Sequence, residues 1–235
     1  MDHQKLILDK LTGILSVTDN KSKQLLDMVE KAGRTFIGGA GRSLLVSRFF
    51  AMRLMHAGYN VNMIGEVVTT AIKEGDLLIL VSGSGGTETL LPFVKKAKSV
   101  GAKFVVVSMK KSSPMADVAD LVIQIGQDDS FPLTKGMPMG SQFELSALIF
   151  LEAVISQLVH EKGLTEEGMR ALHANLELFR QCNKRVCFLH LKIKARKSGL
   201  LFLLLLCKSR PFTINRQINC GIIFTVKSVQ QTHAF

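Results

Sequence analysis

Apolar and polar residues follow two recurring patterns along the first three quarters of the chain. Short apolar runs, as in Leu77–Val81 and Lys103–Ser108, have the length and β-branched content of strands that are buried on both faces. Longer segments with apolar residues three and four positions apart, as in Ser43–His56, predict helices. Because strands and helices alternate, we expect crossover connections and a parallel sheet between helix layers.

The pattern predicts a definite order of elements. The predicted helices cover residues 2–15, 21–32, 43–56, 88–100 and 141–161, and a last short helix begins near Thr165. The predicted strands cover residues 35–37, 61–64, 77–81, 103–108 and 121–125, with 61–64 pairing beside the first. Gly126–Gly140 contains prolines and glycines and predicts an irregular loop. The predicted fold class is α/β, a flavodoxin-like or Rossmann-like three-layer sandwich with a central parallel sheet of about five strands.

Charge divides the chain near residue 177. Residues 1–177 carry 19 Lys and Arg against 19 Asp and Glu, whereas residues 178–235 carry 11 Lys and Arg and no acid. All four cysteines also lie in the second part. We therefore predict one domain over residues 1–177 and a basic, Cys- and Leu-rich C-terminal extension over residues 178–235.

The first part has the character of a cytosolic domain. It contains no cysteine, and its first residues, MDHQKLILDKL, lack the apolar core of a secretion signal. Leu200–Leu206 is far shorter than the roughly 20 residues of a membrane-spanning helix. We expect a cytoplasmic protein that binds neither membrane nor nucleic acid.

The extension has no acid and is unusual for a natural domain. Our leading hypothesis is a frameshifted or read-through segment, non-native or poorly ordered and without a selected function. A nucleic-acid or membrane-surface arm, built from Lys192, Lys194, Arg196, Lys197 and the leucine run, is the competing interpretation. The spacing of Cys182, Cys187, Cys207 and Cys220 does not fit a structural zinc site, and we expect no metal and no cofactor.

Two glycine turns stand where helices begin after strands. One is Gly39-Ala40-Gly41-Arg42-Ser43, in which Ser43 could cap the helix or donate to an oxyanion. The other is Ser82-Gly83-Ser84-Gly85-Gly86-Thr87, whose hydroxyls and backbone N–H groups suit a phosphate monoester. A glycine-rich turn with a capping hydroxyl is also common without any ligand. Neither turn is a P-loop or a dinucleotide-binding motif, which disfavours nucleotide binding.

The paired GAGRS and SGSGGT motifs resemble the signature of the sugar isomerase (SIS) family. Three further segments, Gly65–Ile72, Met139–Glu144 and Leu172–Glu177, are similar to its 6-phospho-3-hexuloisomerase branch. The resemblance covers about residues 1–177 and implies the SIS form of the sandwich. It also implies that the turns bind a sugar phosphate, with Gly41, Arg42 and Ser43 in the first and Ser82, Gly83, Ser84, Gly85, Gly86 and Thr87 in the second.

The resemblance further implies interconversion of 3-hexulose 6-phosphate and fructose 6-phosphate through an enediol. Such a reaction needs a base and donors to the oxyanion, and Glu144 matches the family's catalytic glutamate. We expect it in a largely apolar cleft beside Phe143. The structural alternative is that Glu144 has no catalytic role and is simply an acid that the helix dipole favours in a first helical turn.

His56 and His173 are candidates for handling substrate hydroxyls. His56 ends the helix that begins at Ser43, roughly 20 Å from the first turn, so it could serve only a neighbouring subunit. The resemblance implies a homodimer or homotetramer with shared sites. A histidine favoured at a helix C-terminus is an equally good interpretation.

The implied role is in the ribulose monophosphate pathway of formaldehyde assimilation, with hexulose phosphate synthase as the pathway partner. The alternatives are a non-catalytic SIS regulator that binds sugar phosphate, and an isomerase of the arabinose 5-phosphate type. Such regulators usually carry a DNA-binding helical module ahead of the domain, whereas here two short helices precede the first strand.

Overall fold

The computed structural model describes residues 2–132 and 135–175 and two strands, 190–195 and 201–206. It divides into two units, Met1–Ala174 and Asn175–Phe235. In the first unit the helices are α1 (His3–Ser16), α2 (Ser22–Lys31), α3 (Arg42–His56), α4 (Leu91–Ser99), α5 (Ser141–Lys162) and α6 (Glu166–Ala171). The strands are β1 (Thr35–Gly39), β2 (Val61–Met63), β3 (Leu77–Val81), β4 (Lys103–Ser108) and β5 (Leu121–Gln124).

The five strands form one parallel sheet in the order β2-β1-β3-β4-β5. This confirms the predicted α/β class, the strand number and the pairing of the 61–64 segment beside the first strand. The carboxyl ends of β1, β3 and β4 lie side by side at one edge. Loops that follow these strands therefore meet at that edge.

Alternate residues of the strands supply two separate cores. Ile37, Ile79 and Val105 face α1, α2, α3 and α5, whereas Phe36 and Leu80 face α4. Because successive side chains of a strand point to opposite faces, continuous apolar strands fill both layers. The result is the predicted three-layer sandwich.

Two connections differ from the simple strand–helix alternation. The predicted helix 88–100 starts as a 3₁₀ turn, Glu88–Leu90, before α4 begins. Pro92 explains this, since it has no N–H and its ring crowds the carbonyl four residues earlier. The crossover from β2 to β3 contains no helix, because residues 64–76 are irregular.

The helix α5 is the longest element and a core helix. By length and composition alone it could cross a membrane. Its apolar residues, including Phe150, Leu151 and Val154, instead pack in the core with α3, α2 and α1. An irregular loop precedes it, as predicted for Gly126–Gly140.

The second unit is described only at two strands. β6 (His190–Ala195) and β7 (Leu201–Leu206) pair antiparallel, with His190 opposite Leu206. The leucine run of the sequence thus forms a strand. The remaining predictions for residues 178–235, including those on the four cysteines and on Arg196 and Lys197, lie outside the described residues.

Candidate active site

The first glycine turn brings α3 against the end of β1. A Cβ atom at Gly39 would lie 2.9 Å from the carbonyl carbon and oxygen of Ser43, so this contact requires glycine. Gly41 has a φ of 55° and is the N-cap of α3, with no side chain bonded to the cap. Ser43 lies in the first turn of the helix. The capping role considered for Ser43 is therefore wrong, since the residue lies inside the helix.

The second turn, Ser82–Thr87, is held by its own hydroxyls. The Ser82 hydroxyl is buried and lies 3.0 Å from the Thr87 hydroxyl. The Gly86 N–H donates to Ser84 Oγ at 3.2 Å, and Ser84 is exposed. The turn thus has one partly buried hydroxyl pair and one exposed serine.

Two buried serines beneath this turn escaped sequence reasoning. The Ser108 hydroxyl donates to the Gly83 carbonyl at 3.1 Å, and a Cβ at Gly85 would lie 2.1 Å from Ser113 Oγ. Gly85 has a φ of 60°. Ser108 ends β4 at the edge where the two turns lie, and that position could have identified it.

The first turn of α5 contacts both glycine turns. Gly39 and Val81 are paired residues of β1 and β3, so the two turns begin side by side. A Cβ at Gly83 would lie 3.1 Å from Phe143 Cδ1, which places Phe143 against the second turn. The next residue, Glu144, bonds to Arg42 of the first turn. Two adjacent residues of one helix therefore join the two candidate phosphate loops.

Glu144 is paired with a cation. The Arg42 Nε lies 2.9 Å from each Glu144 carboxylate oxygen, and the Arg42 Nη2 donates to the Met139 carbonyl at 2.9 Å. The hydrogen bond to Glu144 and the charge of the carboxylate raise the pKa of Arg42. Phe143 is buried beside it as expected. The expected largely apolar cleft is wrong, because a guanidinium faces the carboxylate.

The two candidate histidines lie together at the far end of α3. The rings of His56 and His173 stack with centroids 5.0 Å apart and planes inclined by 22°. His56 is buried and His173 is exposed. The 15 residues of α3 span about 22 Å at the helical rise, so Arg42 and His56 lie at opposite ends of it. Within one chain the structure does not bring the histidines to Glu144.

A cavity of about 240 Å³ lies on the other face of the sheet. Its lining includes Phe36, Leu78, Thr69, Thr70 and Phe93, and none of the serines of the two turns. Both threonine hydroxyls are hydrogen-bonded, Thr69 to the carbonyls of Met63 and Glu66 and Thr70 to Arg34. The hydroxyls of Thr69 and Thr70 therefore bond to Arg34 and to their own segment, and not to either glycine turn.

The segment beside this cavity is fastened by a buried ion pair. Asp76 is 2% exposed and accepts from Arg34 Nε and Nη2 at 3.1 and 2.7 Å and from the Lys73 N–H at 2.9 Å. Burial raises the pKa of Asp76, but the bonds from Arg34 and the Lys73 N–H outweigh it and hold that pKa below its ordinary value. Arg34 also donates to the Ala71 carbonyl.

Over residues 2–132 and 135–175, no three His, Cys, Asp or Glu side chains are close enough together to hold a metal ion.

Comparison with known proteins finds relatives that carry the name 3-hexulose-6-phosphate isomerase. A 3-hexulose-6-phosphate isomerase of Methylomonas aminofaciens is 64% identical over 178 residues, which are 74% of this chain and 98% of the relative. The enzyme of that name from Bacillus subtilis is 41% identical over 165 residues, 68% of this chain and 89% of the relative.

A solved structure and a family model agree with these relatives. The structure is that of a Methanococcus jannaschii protein, for which the function of a 3-hexulose-6-phosphate isomerase has been inferred from the crystal structure. It superposes with a TM-score of 0.67 at 36% identity, covering 75% of this chain and 99% of that one. The SIS domain model matches residues 28–149, which include both glycine turns and Glu144. The chain belongs to the SIS domain family.

Proposed function

We propose that this protein is a 3-hexulose-6-phosphate isomerase, which interconverts 3-hexulose 6-phosphate and fructose 6-phosphate. The relatives that carry this name align over most of the described first unit. The observation that carries the proposal is the position of Glu144, beside the Phe143 that contacts the second glycine turn and bonded to Arg42 of the first. A carboxylate thus lies where the two candidate phosphate loops meet.

The two turns supply the groups that a phosphate dianion needs. The proposed binding groups are the hydroxyls of Ser43, Ser82, Ser84 and Thr87 and the backbone N–H groups of Gly41, Gly83 and Ser84. The N–H groups of Gly85 and Gly86 bond within the turn, to the Ser82 carbonyl and to Ser84 Oγ. No side chain caps α3 or the 3₁₀ turn that follows Thr87. Their first N–H groups are therefore directed outward at the carboxyl edge of the sheet, where an anion is favoured.

The proposed chemistry moves a carbonyl group from C3 to C2. Glu144 removes the proton on C2, and the electron pair of that bond forms the C2–C3 double bond while the C3 carbonyl oxygen becomes the enediolate oxygen. The proton then returns to C3, the O2 hydroxyl proton is transferred to O3, and a carbonyl remains at C2. Donors near the loops stabilise the oxyanion.

The test is turnover by the full chain and by Glu144→Gln. We expect the wild type to form fructose 6-phosphate and the variant to lose turnover by a factor on the order of 10² to 10⁴, the usual contribution of a general base. Glu152→Gln is a matched control, because Glu152 lies two turns later in α5 and pairs with Arg53 at the surface. Glu144→Gln with turnover near wild type would exclude Glu144 as the base.

The same assay separates the alternatives. A regulator would bind the sugar phosphate without turnover, and an arabinose 5-phosphate isomerase would turn over that pentose phosphate instead. Formation of fructose 6-phosphate from 3-hexulose 6-phosphate is the result that supports the proposal.

We further propose that the active protein is a homo-oligomer with shared sites. An apolar stripe, Leu45, Phe49 and Met52, lies on the outer face of α3 with exposed fractions of 63%, 41% and 53%. Exposed apolar patches of this kind mark interfaces. Arg42 and the Glu144 carboxylate lie at one end of the stripe, and His56 and His173 lie at the other.

Two copies of α3 packed antiparallel around a two-fold axis near Phe49 would bring the two ends of the stripe together. Phe49 is the middle residue of α3, so the His56 end of each copy would lie against the Arg42 end of the other. This arrangement would give each Glu144 a histidine from the second copy. It accounts for two candidate histidines that lie far from the loops of their own chain.

The proposed function also implies a place in metabolism. An enzyme with this reaction would act after hexulose phosphate synthase in formaldehyde assimilation, in the cytoplasm. Detection of activity in a coupled assay with that synthase would support the pathway role.

A further inference from the structure

We propose that Arg42 is a positioning residue, which acts on turnover by fixing the Glu144 carboxylate. The inference rests on the proposed role of Glu144 as the base. It assigns to Arg42 a function other than phosphate binding.

The Arg42 guanidinium is fixed on two sides. Its Nε lies 2.9 Å from both carboxylate oxygens of Glu144, and its Nη2 bonds at 2.9 Å to the carbonyl of Met139. Met139 directly precedes Gly140, the N-cap of α5. The guanidinium therefore connects the beginning of α3 to the beginning of α5. The Glu144 carboxylate is bonded to a guanidinium whose own position is fixed by the Met139 carbonyl.

The Arg42–Glu144 contact occupies the space that a side chain at Gly140 would fill. A Cβ atom there would lie 2.5 Å from Arg42 Nη2 and 2.7 Å from Glu144 Oε1. Both distances are too short for any real side chain. The φ of 85° at Gly140 also favours glycine.

The pair differs from the other ion pairs of α3. Arg48 pairs with Glu66, and Arg53 pairs with Glu152, and in both pairs each side chain is at least 40% exposed. Glu144 is 17% exposed, although Arg42 is 58% exposed. Surface pairs contribute little to stability. A sheltered carboxylate with a fixed cation is instead suited to hold one orientation.

The rate depends on the orientation of a base as well as on its presence. A misplacement of about 1 Å can cost on the order of a hundredfold in rate. Without Arg42, the Glu144 side chain would lose the contact that selects its rotamer. We therefore expect the loss to fall on kcat.

The first experiment compares Arg42→Gln with the wild type in the full chain. We expect kcat to fall by about 10- to 100-fold, with KM and inhibition by inorganic phosphate changed less than threefold. Arg42→Lys should recover only part of kcat, because an ammonium lacks the planar fork. Arg48→Gln removes a surface arginine of the same helix and should leave kcat unchanged.

A double-mutant cycle tests whether Arg42 acts through Glu144. Glu144→Asp keeps a carboxylate but shortens the side chain, so measurable turnover should remain. In that background Arg42→Gln should cost much less than in the wild type. Equal costs in both backgrounds would overturn the proposal.

Gly140→Ala disturbs the pair without removing a charge. We expect it to lower kcat as Arg42→Gln does, again with phosphate inhibition unchanged. Gly163→Ala is the control, because Gly163 also has a positive φ of 61° at the other end of α5 but a Cβ there meets nothing within 4 Å. Thermal unfolding of both variants measures the shared backbone strain.

The failure of this inference differs from the failure of the proposed function. If Arg42→Gln raises KM and weakens phosphate inhibition while kcat is kept, Arg42 binds the phosphate and the positioning role is excluded. Glu144→Gln would still be inactive in that case. If Glu144→Gln itself keeps turnover, the proposed base is excluded and Arg42 has nothing to position.

Discussion

Asp76 directly precedes β3 and anchors the one crossover that lacks a helix. Its carboxylate bonds to Arg34, and Arg34 bonds in turn to Thr70 and to the Ala71 carbonyl. These bonds connect the beginning of the sheet to the irregular segment 64–76. An almost fully buried carboxylate that is paired with a cation therefore joins the helix-free crossover to the sheet.

We predict that Asp76→Asn lowers the free energy of unfolding by about 2–3 kcal/mol at pH 7, because Arg34 loses its charged partner. The pKa of Asp76 is lowered in the folded state, so its contribution is complete above the unfolded value near 3.8 and is lost as the pH falls below it. Urea unfolding at pH 7 and at pH 3 measures this.

The difference in the free energy of unfolding between the wild type and Asp76→Asn should be smaller at pH 3 than at pH 7. A difference of the same size at both pH values would contradict the charge-based explanation. Asp117→Asn, at a surface residue that bonds to the Ser112 hydroxyl, is the control.

Single residues were predictable where backbone geometry decides them. Gly39 and Gly41 were identified as turn residues because strand and helix meet there, and the structure gives the close contact and the positive φ. The Arg42–Glu144 contact was not predictable, since the two residues are 102 positions apart in the chain. Local periodicity carries no information about such a pair. The apolar cleft follows from the catalytic role that the resemblance implies for Glu144, and that role does not indicate the cation beside it.

Sequence patterns predict the helices and strands, and they predict only some of the ends and connections. Thr165 is the N-cap of α6 and accepts from the Gly168 N–H, as the sequence indicated. Pro92 should have signalled that no regular helix could run from Glu88. Periodicity does not distinguish the proposed interface on α3 from a core face, because the stripe of Leu45, Phe49 and Met52 has the same spacing as a core face.

We predict that Phe49→Glu converts the protein to monomers. The substitution places two like charges near each other at the proposed two-fold axis, which disfavours association. Stability should change by less than about 1 kcal/mol, because Phe49 is 41% exposed. Sedimentation velocity measures the mass.

Leu8→Glu is the matched control for this change. Leu8 is 62% exposed on α1, away from the α3 stripe. A mass that stays unchanged in Phe49→Glu, or that falls equally in both variants, would exclude α3 as the interface.

At the scale of the whole molecule, charge and composition predict a division of the chain near residue 177. The balanced charge of residues 1–177 and the acid-free remainder placed the boundary near residue 177, and the first compact unit ends at Ala174. The oligomeric state is expected only from the family resemblance, because a stripe of exposed apolar residues does not indicate which surface packs against it.

We predict that two inactive variants restore each other when mixed. If sites are shared, a heterodimer of Glu144→Gln with His56→Ala has one intact site, and random exchange should recover about a quarter of wild-type activity. The mixture is denatured, refolded and assayed beside each variant alone. No recovery would show that the sites are not shared between chains. Activity of His56→Ala alone near wild type would show that His56 is not used.

Adjacent positions in α5 have a consequence for insertions and deletions. Each residue added to a helix rotates all later residues of that helix by about 100° around its axis. An insertion between Gly140 and Phe143 would turn Phe143 away from Gly83 and Glu144 away from Arg42 at the same time. Length variation among related chains should therefore fall before Pro138, in the irregular loop, and leave the spacing from Gly140 to Glu144 unchanged.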